Sequence, residues 1–511
     1  MLHRLFRIKS IDSIMKDIES PAHQLKRALG PFDIVMLGIG AIIGSGIFAT
    51  IGTAVAGDAV RAGAGPAIVL SFALTAVACA FCGLCYAEFA SLVPISGSAY
   101  TYSYATLGEL VAWIIGWDLI IEYAVGNVAV AIAWAAYFHQ LCDGLGFHIP
   151  AWLAVDYRSA AQAAAAVVQT GITDPAIALA HEAWLTHPTV AGIPLIFNAL
   201  AVTIVMLITW LLVIGVKESA RANNAMVIIK LCILGFFIYS GVKYVKPENW
   251  SPFMPNGFNG VWVGASLIFF AYIGFDAIST AAEECKKPSR DLPIGIIGSL
   301  IVCTVIYIAV AFVLTGMVPW QHLGVADPLA AAFAYVGADV SAGIVAFGAV
   351  ISMSAVLLVF QYGQPRIFFS MSRDGLLPPY FARIHPKYRT PHVTTIWTGV
   401  IVAAVSAVAN INEIVELTNI GTLFAFVLVC AGVIILRRKD PDRPRAFRTP
   451  LVPLVPILGI LSCFYLMAGL PGVTWARFGI WLLVGMGVYF LYGYRKSRLA
   501  GRKQEAGGVS S

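Results

Sequence analysis

Apolar residues run along this chain in long blocks separated by short polar and charged stretches, not in the alternation of a half-buried strand. The blocks are about 20 residues or longer, enough for an α-helix to cross roughly 30 Å of hydrocarbon. They predict twelve membrane helices, over 32–60, 66–92, 100–141, 195–216, 225–245, 259–284, 294–318, 342–371, 393–411, 415–436, 452–470 and 475–494. The fold class that follows is an all-α polytopic membrane protein. Residues 1–31 and 495–511 read as tails, 32–436 as a ten-helix core, 437–451 as a loop and 452–494 as two further helices.

Composition agrees with lipid as the solvent. Of 511 residues, 59% are hydrophobic and 12% charged, against about 25% charged in soluble proteins. The net charge of +6 does not point to nucleic acid, because the 33 Lys and Arg are segregated. Only Arg61, Arg158, Lys243, Lys246 and Arg477 fall on one side. The positive-inside rule then puts both termini in the cytoplasm and the chain, as a multi-pass protein, in the cell inner membrane. Residues 1–30 are polar and mixed in charge, so no cleavable signal is expected there and the first span is expected to serve as the targeting signal.

Cysteine and histidine exclude several chemistries. Most of the nine Cys lie within apolar blocks, and the long external loop at 143–194 has none, so a disulfide framework is not expected. Cys79, Cys82 and Cys85 recur every third residue of a helix and read as small packing groups. None of the nine His lies deep in a span, which leaves no expectation of haem or a buried metal. With no nucleophile–base pair in the spans, no enzyme and no cofactor are expected.

The first span reads P-F-D-I-V-M-L-G-I-G-A-I-I-G-S-G-I-F from Pro31 to Phe48. Its glycines resemble a dinucleotide fingerprint, but no strand precedes them and no βαβ unit forms within a membrane. Gly38 and Gly40 read as helix-packing positions. Gly44-Ser45-Gly46 is different, because three small residues in succession weaken the helix at mid-span and free its backbone groups. In the sixth span, F-F-A-Y-I-G-F-D-A-I-S-T from Phe269 to Thr280, Gly274 and Asp276 interrupt a second apolar block. An ionisable residue there implies a partner or a cavity.

The two breaks lie five helices apart, so the first and sixth spans run in opposite directions. That is an inverted five-helix repeat, about 32–245 and 259–436, with a substrate site between two discontinuous helices at the midplane. Helix dipoles then set the chemistry. The N–H groups of Ser45, Gly46 and Ile47, where a second half-helix starts, offer partial positive charge to a carboxylate. Carbonyls at Phe270, Ala271 and Ile273, with that of Ile42, offer partial negative charge to an ammonium. Both ends of a zwitterionic amino acid are read by backbone alone.

The strings L-K-R-A-L-G-P-F-D at 25–33, G-I-G-A-I-I-G-S-G-I-F at 38–48, S-G-S-A-Y-T-Y at 96–102, F-F-A-Y-I-G-F-D-A-I-S-T-A-A-E-E at 269–284 and M-S-R-D-G-L-L-P at 371–378 are the distinctive segments. They resemble the amino acid–polyamine–organocation superfamily, and within it the cationic amino acid transporter family in its twelve-span bacterial form. The resemblance extends over roughly 25–440 and implies a LeuT-type 5+5 inverted repeat with broken helices 1 and 6. It implies a substrate site at Ile42, Ile43, Gly44, Ser45, Gly46 and Ile47 with Phe270, Ala271 and Ile273. It also implies that Met353, in I-S-M-S-A-V-L-L-V, faces the substrate side chain, where a bulky thioether favours small or medium neutral amino acids. The alternative is that Met353 is an adaptable core filler.

Coupling to protons is implied by Lys230 in N-N-A-M-V-I-I-K, which matches a fifth-span lysine of the family. An ammonium between the first and eighth spans would stand where sodium-coupled relatives hold a metal ion; the alternative is a lysine that snorkels to the interface. Glu122, in W-D-L-I-I-E-Y of the third span, is the second proton-coupling candidate, with a structural ion pair or hydrogen bond as its alternative. The expected function is import of amino acids by proton symport. Exchange, cationic amino acid or polyamine transport, and a transport-inactive sensor are the other readings. The segments 217–224 and 372–379 read as cytoplasmic gate elements or as solvated topology signals.

Overall fold

The structure is a computed structural model that describes residues 7–8, 29–58, 61–92, 98–170, 177–190, 192–214, 220–388 and 390–497. It is helical almost throughout. The helices that matter below are α1 (Pro31–Ile42), α2 (Ile51–Ala56), α3 (Ile68–Leu92), α4 (Ser98–Thr106), α5 (Glu109–Ile120), α6 (Gly126–Gly144), α7 (Tyr157–Thr170) and α8 (Ala178–Thr186). They continue with α9 (Ala199–Ile214), α10 (Ala220–Gly241), α11 (Gly257–Ile268), α12 (Pro288–Met317), α13 (Pro328–Tyr335), α14 (Asp339–Arg373), α15 (His392–Val408), α16 (Ile411–Lys439), α17 (Leu454–Ala468) and α18 (Gly472–Val488). A two-stranded ribbon pairs Thr189–Val190 with Ile193–Pro194.

Among the described residues, eight helical stretches are long and apolar enough to cross a membrane, nine when the bent pair Pro31–Ile42 and Gly46–Ala56 is counted as one. Three shorter apolar helices, α9, α15 and α17, accompany them. Polarity is arranged for a lipid solvent. Leu70, Val77, Trp210, Ile301, Val305 and Leu483 face outward, while Asp118, Glu122, Lys230, Asp276, Gln361 and Asn419 are buried. Polar groups deep in a membrane protein turn to the bundle interior because hydrocarbon offers them no hydrogen bond.

One predicted element divides. The apolar block at 100–141 is two helices, because α4 stops where the N–H groups of Leu107 and Gly108 both donate to the Ser103 carbonyl, at 2.8 and 3.1 Å. Gly108 holds φ at 102°, a left-handed conformation that ends a helix. From Glu109 the chain stays helical to Gly144, through a wider turn at Ile121–Val125. The loop after α6 folds on itself: α7 and α8 enclose a small core of Ala151, Ala160, Ala183 and Ile196.

Charges fasten the helices at one end of the bundle through Glu88 of α3. Its carboxylate accepts from Arg437 Nε at 2.8 Å and Nη2 at 3.0 Å, and from the Thr449 N–H at 2.8 Å, so α3 is tied to the end of α16 and the segment before α17. Of the expected gate segments, 217–219 lie outside the described residues. Asn224 donates to Asp33 at 2.9 Å, and the Tyr100 hydroxyl donates to Asp374 at 2.8 Å. All nine cysteines are free thiols, and Cys82 Sγ lies 3.4 Å from Cys463 Sγ on α17.

Candidate substrate site

The site begins where α1 ends. Ile43 adopts an extended conformation, and the chain resumes as a wide helical turn at Gly46–Thr50 that leads into α2, bent by 41° from α1. A helix that starts anew leaves its first N–H groups without intrahelical partners, and one that stops leaves its last carbonyls likewise. The second break follows α11: a tight helical turn spans Phe269–Tyr272, Ile273 is extended, and a further turn runs over Asp276–Glu284. Gly274 between them holds φ at 120°, where a side chain would be strained and would also press on the Ala41 carbonyl, 2.8 Å from an added Cβ.

The breaks touch each other. A Cβ added to Gly46 would lie 2.2 Å from Ala271 Cα, so hydrogen is the only substituent that lets the two backbones approach this closely. Gly44 turns the other way, toward the Val356 methyls of α14, with 3.1 Å to an added Cβ. Ile42, Ile43, Ser45, Ile47, Phe270, Ala271 and Ile273 are all buried around this crossing, and the Ser45 hydroxyl has no hydrogen-bond partner.

Two side chains hold the carbonyls freed at the end of α1. Lys230 of α10 is completely buried, and its ammonium donates to the Gly40 carbonyl at 2.7 Å and to that of Ile43 at 3.2 Å. A cation at the C-terminal end of a helix complements the partial negative charge gathered there. Lys230 does not snorkel. Because α10 already begins at Ala220, the residue lies about three turns inside its helix. The second side chain is Tyr307 of α12, whose hydroxyl lies 3.0 Å from the Ile42 carbonyl and 2.9 Å from that of Ala271.

The sequence profile of the family described as "Amino acid permease" matches residues 29–489, which takes in both breaks and both clamping residues. The chain belongs to the amino acid permease family. It is 47% identical to the branched-chain amino acid permease BcaP of Bacillus subtilis (strain 168), covering 97% of this chain and 99% of that one. It is 46% identical to the methylthioribose transporter of the same organism, over 97% and 99% of the two chains. The vacuolar cationic amino acid transporter 4 of Arabidopsis thaliana is 34% identical over 86% of this chain and 68% of its own. These relatives are transporters, not enzymes, and this multi-pass membrane protein is a transporter of the same family.

The other two candidates of the permease lie on other elements, Glu122 between α5 and α6 and Met353 on α14. Glu122 is buried in the wide turn between α5 and α6 and faces Asp276 of the second break, not Lys230. No ion pair joins Glu122 to Lys230. Asp118, one turn earlier, is also buried, and neither of its oxygens has a hydrogen-bond partner. Met353 is fully buried in α14, beside Ser352, whose hydroxyl has none. Among the described residues no group of three or more His, Cys, Asp or Glu is arranged to hold a metal ion.

Tyr307 is the residue that sequence reading of the permease missed. The signal was there. Tyrosines in membrane helices gather at the interfaces, where the hydroxyl reaches water, so one in the middle of the block 294–318 needs a protein partner.

Proposed function

We propose that this permease imports small or medium neutral amino acids by proton symport, through twelve spans of which the first ten form a LeuT-type core with 32–245 and 259–436 as inverted repeats. The observation that carries the reading is the meeting of two broken helices at Gly46 and Ala271, with freed N–H groups on one side and freed carbonyls on the other. The carboxylate would sit at Gly44, Ser45, Gly46 and Ile47, and the ammonium at the carbonyls of Ile42, Phe270, Ala271 and Ile273. Met353 limits the space for the side chain. The name of the BcaP relative supports branched-chain amino acids within this class.

Proton coupling rests on Lys230. Its ammonium ties α10 to the end of α1 through two carbonyls, so losing a proton weakens a link between a fixed helix and the broken one. Glu122 and Asp276 form a carboxyl pair that can share one proton at the second break. The basic residues favour an inner-membrane orientation with both termini cytoplasmic. The deciding experiment is uptake of a panel of labelled amino acids, including leucine, alanine and arginine, into proteoliposomes with and without an imposed pH gradient. Accumulation of leucine or alanine above arginine, driven by the gradient, is the expected result. Uptake indifferent to the gradient overturns symport, and arginine above both overturns the selectivity.

A further inference from the structure

We propose that the Tyr307 hydroxyl positions the ammonium-accepting carbonyls of both broken helices and is the side chain by which this permease recognises the substrate's α-amino group. This rests on the amino acid site described above. A phenol has a single O–H, yet here it lies within hydrogen-bond distance of two carbonyls, Ile42 at the end of α1 and Ala271 in the second break. It donates to one at a time, and its own lone pairs remain free to accept. An ammonium entering between the same two carbonyls brings three donors. It can bond both carbonyls and the phenol oxygen at once, turning the hydroxyl from donor to acceptor. In its absence the hydroxyl satisfies one of the two carbonyls at a time, sparing a buried acceptor the cost of having no partner.

The phenol is held rigidly enough for this. Tyr307 is completely buried, with its ring 5.4 Å from that of Phe72 on α3 and 5.5 Å, edge to face, from that of Tyr272. Tyr272 itself is fastened by a hydrogen bond from its hydroxyl to the Phe72 carbonyl at 3.2 Å. The ring is therefore fixed from two helices, and the oxygen has little freedom except to exchange partners. The lysine clamp does not duplicate this role. Lys230 takes the carbonyls of Gly40 and Ile43, and Tyr307 reaches those of Ile42 and Ala271, so the two side chains serve different carbonyls of the first break.

The test compares purified wild type with Tyr307→Phe, and with Tyr489→Phe, whose buried hydroxyl donates to Glu109 away from both breaks, as a control that should bind leucine like the wild type. Binding is measured for leucine, for leucine methyl ester, which lacks the carboxylate, and for 4-methylpentanoate, which lacks the amine. Tyr307→Phe should weaken leucine binding about tenfold, the scale of one hydrogen bond to a charged group. It should leave discrimination against the methyl ester intact and narrow the preference for leucine over 4-methylpentanoate. Leucine affinity equal to wild type in Tyr307→Phe overturns the proposal. A wild type that binds none of the amino acids in the panel overturns instead the amino acid site on which it rests. Where Tyr307→Phe does not fold, 3-fluorotyrosine incorporated at 307 in the otherwise native protein carries the test by fluorine NMR. Leucine should shift its resonance and 4-methylpentanoate should not; an unmoved resonance on saturation with leucine overturns the proposal.

Discussion

Arg61 donates from Nε to the Glu416 carboxylate at 2.6 Å, and the second Glu416 oxygen accepts from the Thr474 hydroxyl at 2.6 Å. One carboxylate thus fastens the end of the first broken helix to α16 and α18. Glu413, one turn earlier, pairs with Arg158 of α7 at 2.6 Å and with Arg477 of α18 at 3.2 Å. Arg61, Arg158 and Arg477, three of the five basic residues that the sequence reading assigns to one side, therefore converge on the first turns of α16. Through Arg158, α7 of the long loop is docked there too.

Breaking the first of these pairs should cost more than a surface salt bridge, because the Glu416 side chain is only 4% exposed and that of Arg61 11%. Arg61→Ala leaves a buried carboxylate without its partner, a loss of about 3–5 kcal/mol. Replacing both residues by Met should restore most of the stability, since no buried charge is then stranded; Asp58, which also pairs with Arg61, is open to water. Thermal unfolding of the single and double variants in detergent measures this, and a double variant as unstable as Arg61→Ala alone would contradict it.

Lys230→Ala should retain substrate binding and exchange but lose accumulation driven by a pH gradient. The variant frees the Gly40 and Ile43 carbonyls without touching those assigned to the substrate. Paired measurements of leucine affinity and of uptake with an imposed gradient check it. Gradient-driven accumulation at the native level in Lys230→Ala would falsify the coupling role.

The two glycines of the first break should respond differently to a single methyl group. Gly46→Ala drives its Cβ into the Ala271 backbone, which cannot yield, so folding and uptake should both fail. Gly44→Ala meets only a Val356 methyl at 3.1 Å, so a stable protein with impaired uptake is expected. Size-exclusion profiles and uptake of the two variants separate the cases; equal stability of both would contradict the close crossing.

Glu122→Gln should change the pH dependence of uptake while leaving the protein folded, because the amide keeps the shape of the group facing Asp276 but neither carries charge nor releases a proton. Uptake measured across external pH decides it. A native pH profile in this variant would remove Glu122 from the proton route and leave it a structural partner of Asp276.

The candidate site was legible in sequence to the extent that its chemistry is local. Gly44, Ser45 and Gly46 weaken a helix wherever it goes, and Gly274 does so in the second block, so both breaks could be read from neighbouring residues. The boundary at Gly108 was passed over, because 100–141 reads as one block although T-L-G-E at 106–109 interrupts its apolar residues, and a glycine's φ is not written in the pattern.

By itself the sequence determined that this protein is a helical membrane protein, where its apolar blocks lie and where two of them break, since these depend on hydrophobicity and backbone freedom over a few residues. Tertiary structure decided which freed carbonyls meet which side chains. That Lys230 turns inward to Gly40 and Ile43, that Glu122 faces Asp276, and that Tyr307 bridges Ile42 and Ala271 are contacts between residues far apart in the chain. A buried donor in a membrane interior must find an acceptor, but only the packing of helices decides which one is within 3 Å.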